Sequence, residues 1–592
     1  MITPALVAVL VVARAIVLMS RPVPWTPAFL LACIGQDALV AVAFLAAEAG
    51  TGRWRWGRWI ISPMFWIITG YVALNVVVAR VLPTPLTWQM LAAAGGPLAD
   101  SIRHYATPSA VGAMVLVAGT AIVARLLGGQ RPMASTVPAG VLGVTLLLAG
   151  AGGILAAQRV ETWGLHKNAL VTLVRSALPA IDAHATTEDW RRSSMPTPGG
   201  GASPLHGLAA GRNLVVIGLE STGAEFLHVY GGSDDVMPRL EELARHAIVF
   251  ERAYAVSPDS IRSLFSVMCS RYPAFDTAAS AYAEAPCGSV MEILRARGYR
   301  TALFHSGRFG YLGMNSVIRD RGFEVLEDAG DIGGNQESSF GVDDPATVAR
   351  ILSWIDSLDP ENRFAVSYLP VAGHHPYTFS GPGAFGTATE RDRYRSALYD
   401  GDVSIGVLLD GLRSRGLLQK TMVVVYGDHG EAFGRHPGNV GHTFFLYEEN
   451  VRVPFFVAVP GALARQDLHD VTVSLVDVSP TIFDLLALPA DARHQGQSAL
   501  DGTMGPALFF TDYGARLVGL RDGPWKFIHD LGLSRSHLYD LDGDPGEEHD
   551  RAAEEPGRVA AYRHTLEAWS SAQKALLGEP RAASPSGSGM IR

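Results

Sequence analysis

Three cysteines in 592 residues exclude a fold built on disulfides. Charge is scarce too. Asp, Glu, Lys and Arg make up 18% of the chain, below the ~25% of an average soluble protein. Hydrophobic residues reach 48%, which excludes a disordered chain and fits an ordinary cytosolic enzyme poorly. Lysine is missing altogether from residues 1–157, which hold nine arginines and three acids, Asp37, Glu48 and Asp100. That stretch is therefore +6, and because the whole chain is −9 the remainder is −15. An acidic C-terminal part argues against nucleic acid as a partner, since that needs a basic face.

What the front of the chain has is long apolar runs, at roughly 2–19, 27–49, 59–82, 107–127 and 136–157. Each is close to the ~20 residues a helix needs to cross the hydrocarbon core. They lack the polar faces of helices buried in a soluble domain, so residues 1–157 read as a transmembrane domain of five spans. Residue 1 is followed by no basic segment and no clear cleavage site, so the first run reads as a retained span. Arg53, Arg55 and Arg58 follow the second span, and Arg125 and Arg131 the fourth; the other loops hold mainly Arg21 and Arg103. Positive loops stay inside, so the N-terminus is expected in the cytoplasm and everything after residue 157 outside. Trp54, Trp56 and Trp59 suit an interfacial belt. Arg14 and Asp37 lie inside spans, where charge is costly; they are expected to pair across helices, with the lining of a polar cavity as the alternative.

Residues 158–211 read as a connector: an amphipathic helix over 158–185, then a Pro/Gly/Ser linker, "SSMPTPGGGASPLHGLAAG". Residues 576–592 read as a disordered tail. No internal repeat is evident. Between them, residues 212–575 alternate short apolar runs ("NLVVIGLES", "RTALFHS", "RFAVSYLPV", "TMVVVYGDHG", "VPFFVAVP") with helical patterns such as "MPRLEELARHA" and "ATVARILSWIDSL". That alternation predicts an α/β domain with a mixed, mostly parallel sheet covered by helices. In such folds ligands sit beyond the carboxyl ends of the strands. The runs place Glu220, His305, His374 and the pair Asp428–His429 there, and carboxylates with imidazole suit a divalent metal such as zinc or manganese. Ser260 opens the helical stretch "SIRSLFSVMCS". An N-cap is the default role for such a serine, but a metal-bound hydroxyl at a helix N-terminus is also a nucleophile. Ser257, Ser263 and Ser266 are rivals for that role. Cys269 and Cys287, both in the exported part, are expected to form a disulfide.

The ordered set "GLES", "AVSPDSIRSLFSVMCSRYP", "GHHPYTF", "YGDHGE", "VGHTFFLYEENVRVPFF" and "LYDLDGDPGEEHD" resembles the sulfatase/alkaline-phosphatase superfamily over about residues 212–550. With its apolar front, the chain looks like the membrane phosphotransferase branch: lipoteichoic acid synthases, phosphoglycerol transferases and phosphoethanolamine transferases. The resemblance implies one divalent metal ion on Glu220, Ser260, Asp428 and His429, with Ser260 where the family has its Thr nucleophile. It implies substrate contacts from His374, His442 and, less directly, His305. A sulfatase's C/S-x-P-x-R spacing is not met by "SPDSIRS". The implied activity takes a phospholipid head group, phosphoglycerol or phosphoethanolamine, through a covalent serine to an envelope lipid or glycan. The implied location is a bacterial inner membrane, with the catalytic domain periplasmic or extracellular. A membrane-anchored sulfatase or phosphodiesterase, and a catalytically silent lipid-binding homologue, are the alternatives.

Overall fold

The computed structural model describes all residues except 22, 52–55, 94–98, 130–137, 185–188, 195–202, 335–339, 503–504 and 578–592. Arg53, Trp54, Arg55, Arg131, much of the expected linker and nearly all of the expected tail lie outside the described residues.

The front of the chain is helical: α1 (Thr3–Met19), α2 (Pro27–Thr51), α3 (Gly57–Val81), α4 (Trp88–Ala93), α5 (Ala99–Tyr105), α6 (Pro108–Gly129) and α7 (Ala139–Ala157). Four of these, α2, α3, α6 and α7, are long and apolar enough to cross a membrane. The expectation of five such helices is not met, because α1 is equally apolar but only 17 residues long. Large side chains facing outward from α6 and α7, such as Val115, Leu116, Ile122, Val144 and Leu148, are apolar, as a lipid-facing surface requires. Inside the bundle Arg14 does pair with Asp37, at 2.8 and 2.9 Å. Asn168 donates to the same carboxylate at 2.7 Å, and Arg14 to the Lys167 carbonyl at 3.0 Å, so the ion pair also anchors the start of the connector.

That connector differs from expectation. Among the described residues of 158–211 only α8 (Ala169–Ser176) is helical, capped by the Asn168 side chain; residues 158–168 run ahead of it in turns, where the Leu165 and Lys167 carbonyls accept from Arg14. The last residues of the expected linker are docked rather than loose. Gly207 and Ala209 donate to the carbonyls of Asp484 and Leu485 at 2.9 and 2.8 Å, and Ala209 is fully buried.

The main sheet has eight strands: β1 (Asn213–Leu219), β2 (Ala247–Tyr254), β3 (Arg300–His305), β4 (Val325–Glu327), β5 (Phe364–Leu369), β6 (Thr421–Gly427), β9 (Phe455–Ala458) and β10 (Gln466–Ser474), in the order β10-β2-β9-β6-β1-β5-β3-β4. A two-stranded ribbon, β7 (Ala432–Phe433) and β8 (Val440–Gly441), lies between β6 and β9 in sequence. β9 runs antiparallel to both its neighbours, β2 and β6; the other pairs are parallel. This is the mixed, mostly parallel sheet read from the sequence. β1 is buried along its whole length, as a central strand covered on both faces must be. Leu214 and Val216 pack with Val424 and Phe455 on one face; Val215 and Ile217 pack with Val423 and Val425 on the other. A second sheet, β11 (Ala507–Thr511) to β14 (Arg535–Asp540), is antiparallel throughout.

Candidate active site

Glu220 directly follows β1, and Asp428 and His429 directly follow its neighbour β6. The parallel register pairs Leu219 with Gly427, so the two strands end level and deliver all three side chains to one place. One ligand atom from each lies within 4.8 Å of the others, and all three residues are buried. The Asp428 carboxylate is fixed by backbone. Asp428 accepts from the amides of Ser221 and His429 at 2.8 and 2.7 Å. Gly373 passes so close to Glu220 that a Cβ there would stand 2.4 Å from the Glu220 carbonyl, and its φ of +98° is itself a glycine conformation.

Ser260 meets this group from α10 (Ser260–Cys269), which follows α9 (Pro238–Ala244) in the domain. The N-cap of α10 is Asp259, not Ser260: its carboxylate accepts from the Arg262 amide at 2.9 Å and from the Tyr513 hydroxyl at 2.9 Å. Relieved of capping, the Ser260 hydroxyl lies 3.3 and 3.4 Å from the two Glu220 oxygens and 3.2 Å from His429 Nε2. Two rivals are used elsewhere, Ser263 donating to the Ser257 carbonyl and Ser266 to that of Arg262. Ser257 is buried, and its hydroxyl has no hydrogen-bond partner among the described residues.

Burial, and then the charge of Asp428, push the Glu220 carboxyl well above its ordinary range. No lysine or arginine among the described residues forms an ion pair with Glu220 or Asp428. Burial also disfavours a charged His429, and its Nδ1 donates to the Gly430 carbonyl at 3.0 Å. That leaves the Nε2 lone pair facing Ser260 and the carboxylates. Two buried carboxylates, a neutral imidazole and a hydroxyl, without a cationic side chain among them, are the donor set of a divalent cation, and these residues could hold one.

The other expected residues divide. His442 stacks on His429 with ring centroids 4.1 Å apart, and its Nδ1 donates to Glu431 at 2.6 Å. Burial opposes charge on His442, but Glu431 outweighs it and raises its pKa. His374 lies flat on Phe340 at 3.5 Å; burial and then His442 lower its pKa to about 3, so it is a neutral imidazole. His305 stands apart. It donates to the Leu369 carbonyl at 3.0 Å and stacks on Phe309, and among the described residues no hydrogen bond or ion pair joins it to the cluster. Sequence reasoning passed over Glu431, although it sits three residues after Asp428 in "YGDHGE". Its second oxygen accepts from Tyr377 at 2.7 Å. It also passed over the buried fork of Arg262 on Asp512, at 2.8 and 2.9 Å, which holds α10 in place. The disulfide is formed as expected, with the Cα atoms of Cys269 and Cys287 4.5 Å apart.

The α/β sheet whose strand ends gather acids, histidines and a helix-borne serine lies in residues 212–488, which match the Sulfatase family model and follow the apolar helices. Among characterised proteins, lipoteichoic acid synthase 2 of Bacillus subtilis (strain 168) is 25% identical over 302 residues, 48% of this chain and 46% of that protein. Arylsulfatase K of Bos taurus is 30% identical over 210 residues, 32% of this chain and 38% of that protein. The matched stretches thus span about half or less of those relatives' own length. The crystal structure of the lipoteichoic acid synthase LtaP from Listeria monocytogenes superposes with a TM-score of 0.54 at 18% identity, over 66% of this chain and 97% of that one. An alkaline phosphatase superfamily protein from Vibrio parahaemolyticus gives 0.53 at 18%, over 68% and 95%. At such identity these two structures establish a shared fold.

Proposed function

We propose that the protein is a metal-dependent membrane phosphotransferase. It moves a phospholipid head group, phosphoglycerol or phosphoethanolamine, through a covalent Ser260 intermediate to an envelope lipid or glycan. The observation that carries this reading is the uncapped Ser260 hydroxyl, set between Glu220 and His429. A zinc or manganese ion on Glu220, Ser260, Asp428 and His429 would lower the pKa of that hydroxyl and offset charge on the phosphoryl oxygens. Ser260 Oγ attacks the phosphorus of the donor phosphodiester. The bond to the diacylglycerol oxygen breaks, and that oxygen departs as an alcohol with the proton Ser260 gave up. The head group stays esterified to the serine. An acceptor hydroxyl then bonds to the phosphorus, the Ser260–phosphorus bond breaks, and the acceptor's proton returns to the serine. His442, held by Glu431, and the neutral His374 are placed to bind phosphoryl oxygens or hand on these protons. The apolar helices keep the site beside a donor and an acceptor that are both confined near the bilayer. In this reading residues 1–157 form the membrane part, 158–211 the connector, 212–575 the catalytic domain and 576–592 a tail, with the catalytic domain outside the inner membrane.

The similarity to arylsulfatase K favours a second reading, a hydrolase with water as acceptor. Mass spectrometry of the peptide covering residues 250–275, after incubation with phosphatidylglycerol or phosphatidylethanolamine, separates the two. Ser260 carrying a phosphorylated head group supports transfer; formylglycine in that peptide overturns it. Lipid and glycan profiling of cells with and without the gene then identifies the head group and its acceptor.

A further inference from the structure

We propose a second metal site, built from His104, His375 and Glu390, that takes zinc or a similar borderline divalent ion and clasps the membrane part to the catalytic domain. The three residues come from three distant segments. His104 is on α5, between the apolar helices α3 and α6; His375 is in the turn after β5; Glu390 opens the helix Glu390–Ser414. One ligand atom from each lies within 4.8 Å of the others. His104 Nε2 is 3.2 Å from Glu390 Oε1. The His104 and His375 rings meet edge-on at 5.2 Å, and Tyr105 stacks flat on His375 at 5.4 Å. Glu390 is not consumed by its own helix, since Thr389 and Asp392 make the capping box. Its Oε2 is shielded from solvent and accepts no hydrogen bond among the described residues.

A plain interdomain hydrogen bond would need only one histidine and one carboxylate. A second imidazole turned edge-on into the pair adds nothing to that bond, but it completes a set of two histidines and one glutamate. Zinc accepts this set with a fourth position left to water. The site shares no residue with the Glu220–Asp428–His429 group. It is nevertheless mechanically close to it: two residues beyond His375, the Tyr377 hydroxyl donates to Glu431, which holds His442. An ion here would fix the α5 loop against the turn that supports the reactive histidines.

The test is metal stoichiometry of the full-length protein in detergent, stripped with chelator, reloaded with zinc, desalted and measured by mass spectrometry against protein concentration. The wild type should hold about two zinc ions per chain, His104→Ala about one, Asp428→Ala about one, and the double variant none. Glu390→Gln, which keeps the side-chain volume, should lose the same ion as His104→Ala if the latter folds poorly. A wild-type count unchanged in both His104→Ala and Glu390→Gln overturns the proposal. A single wild-type ion removed by Asp428→Ala also overturns it and leaves the catalytic reading standing; a single ion removed by His104→Ala supports it at the expense of the catalytic metal.

Discussion

Removing the Ser260 hydroxyl removes the proposed nucleophile and leaves three metal ligands in place. Ser260→Ala should therefore lower transfer by at least ~10³-fold, the scale on which enzymes lose a covalent nucleophile, with melting temperature and metal content near wild type. Ser260→Thr keeps a hydroxyl at the same atom and should stay active. Turnover in Ser260→Ala together with a dead Ser257→Ala would mean that the wrong serine has been named. A different residue sets a pH dependence of stability. Burial pushes Asp402 up to about 7, against the amides of Arg239 and Leu240 that it accepts from. Its folded pKa is above its unfolded one, so the folded state binds the extra proton between about 4 and 7. Stability from this group is thus full below that window and declines as pH rises through it. Asp402→Asn should flatten the decline in melting temperature between pH 5 and 7.5; an unchanged slope would remove Asp402 as its source. Glu220, Asp428 and His429 were legible in the sequence because a parallel sheet brings its strand ends to one edge, and short apolar runs mark those ends. Glu431 and Tyr377 were not, because their role arises only when the turn after β5 folds over the turn after β6.

The helix α10 carries Ser260, the proposed nucleophile, and three constraints from different parts of the chain hold it. Asp259 caps its first turn, the Arg262–Asp512 fork crosses 250 residues of sequence, and the Cys269–Cys287 disulfide ties its last residue. Asp512→Ala leaves a buried guanidinium without its partner, and breaking such a pair costs about 3–5 kcal/mol. Thermal unfolding should register that loss, and activity should fall with it as Ser260 loses its position. Cys287→Ser should cost ~3 kcal/mol, the scale for a loop of this length. Reductant should shift the melting temperature of the wild type but not of the variant; equal shifts would exclude a stabilising bond. The disulfide was legible because residues 158–592 hold only two cysteines and were expected to lie outside the membrane. The cap was not: Asp259 and Ser260 are adjacent and both are good N-cap residues, so only the folded helix start decides which one is left free. The partner of Arg262 had no local signal at all.

At the scale of the whole molecule the question is which side of the membrane the site faces. The start of α1 lies at the end of α2, since Thr3 donates to Glu48 from its amide and hydroxyl at 3.0 and 2.7 Å, and the Arg14–Asp37 pair links the two helices further along. The short α1 thus runs antiparallel beside a helix long enough to span, and 17 residues reach ~25 Å of a ~30 Å core. The contacts with the domain that carries Ser260 come from other segments of the helical part. Arg535 donates to the Val160 carbonyl at 2.9 Å after α7, His104 reaches Glu390 before α6, and a Cβ on Gly514 would touch Thr84 after α3. Three segments that alternate with the apolar helices along the sequence thus meet the same domain. By the sequence, positive loops remain in the cytoplasm; of those arginines, Arg53, Arg55 and Arg131 lie outside the described residues. Loop charge was readable in the sequence because it governs insertion; which loops touch the catalytic domain was not, because that depends on the folded assembly. A periplasmic phosphatase fused after residue 592 should be active, and a reporter that works only in the cytoplasm should be active at the N-terminus. A cytoplasmic reporter active at the C-terminus would refute this orientation, and with it the access of Ser260 to acceptors outside the membrane.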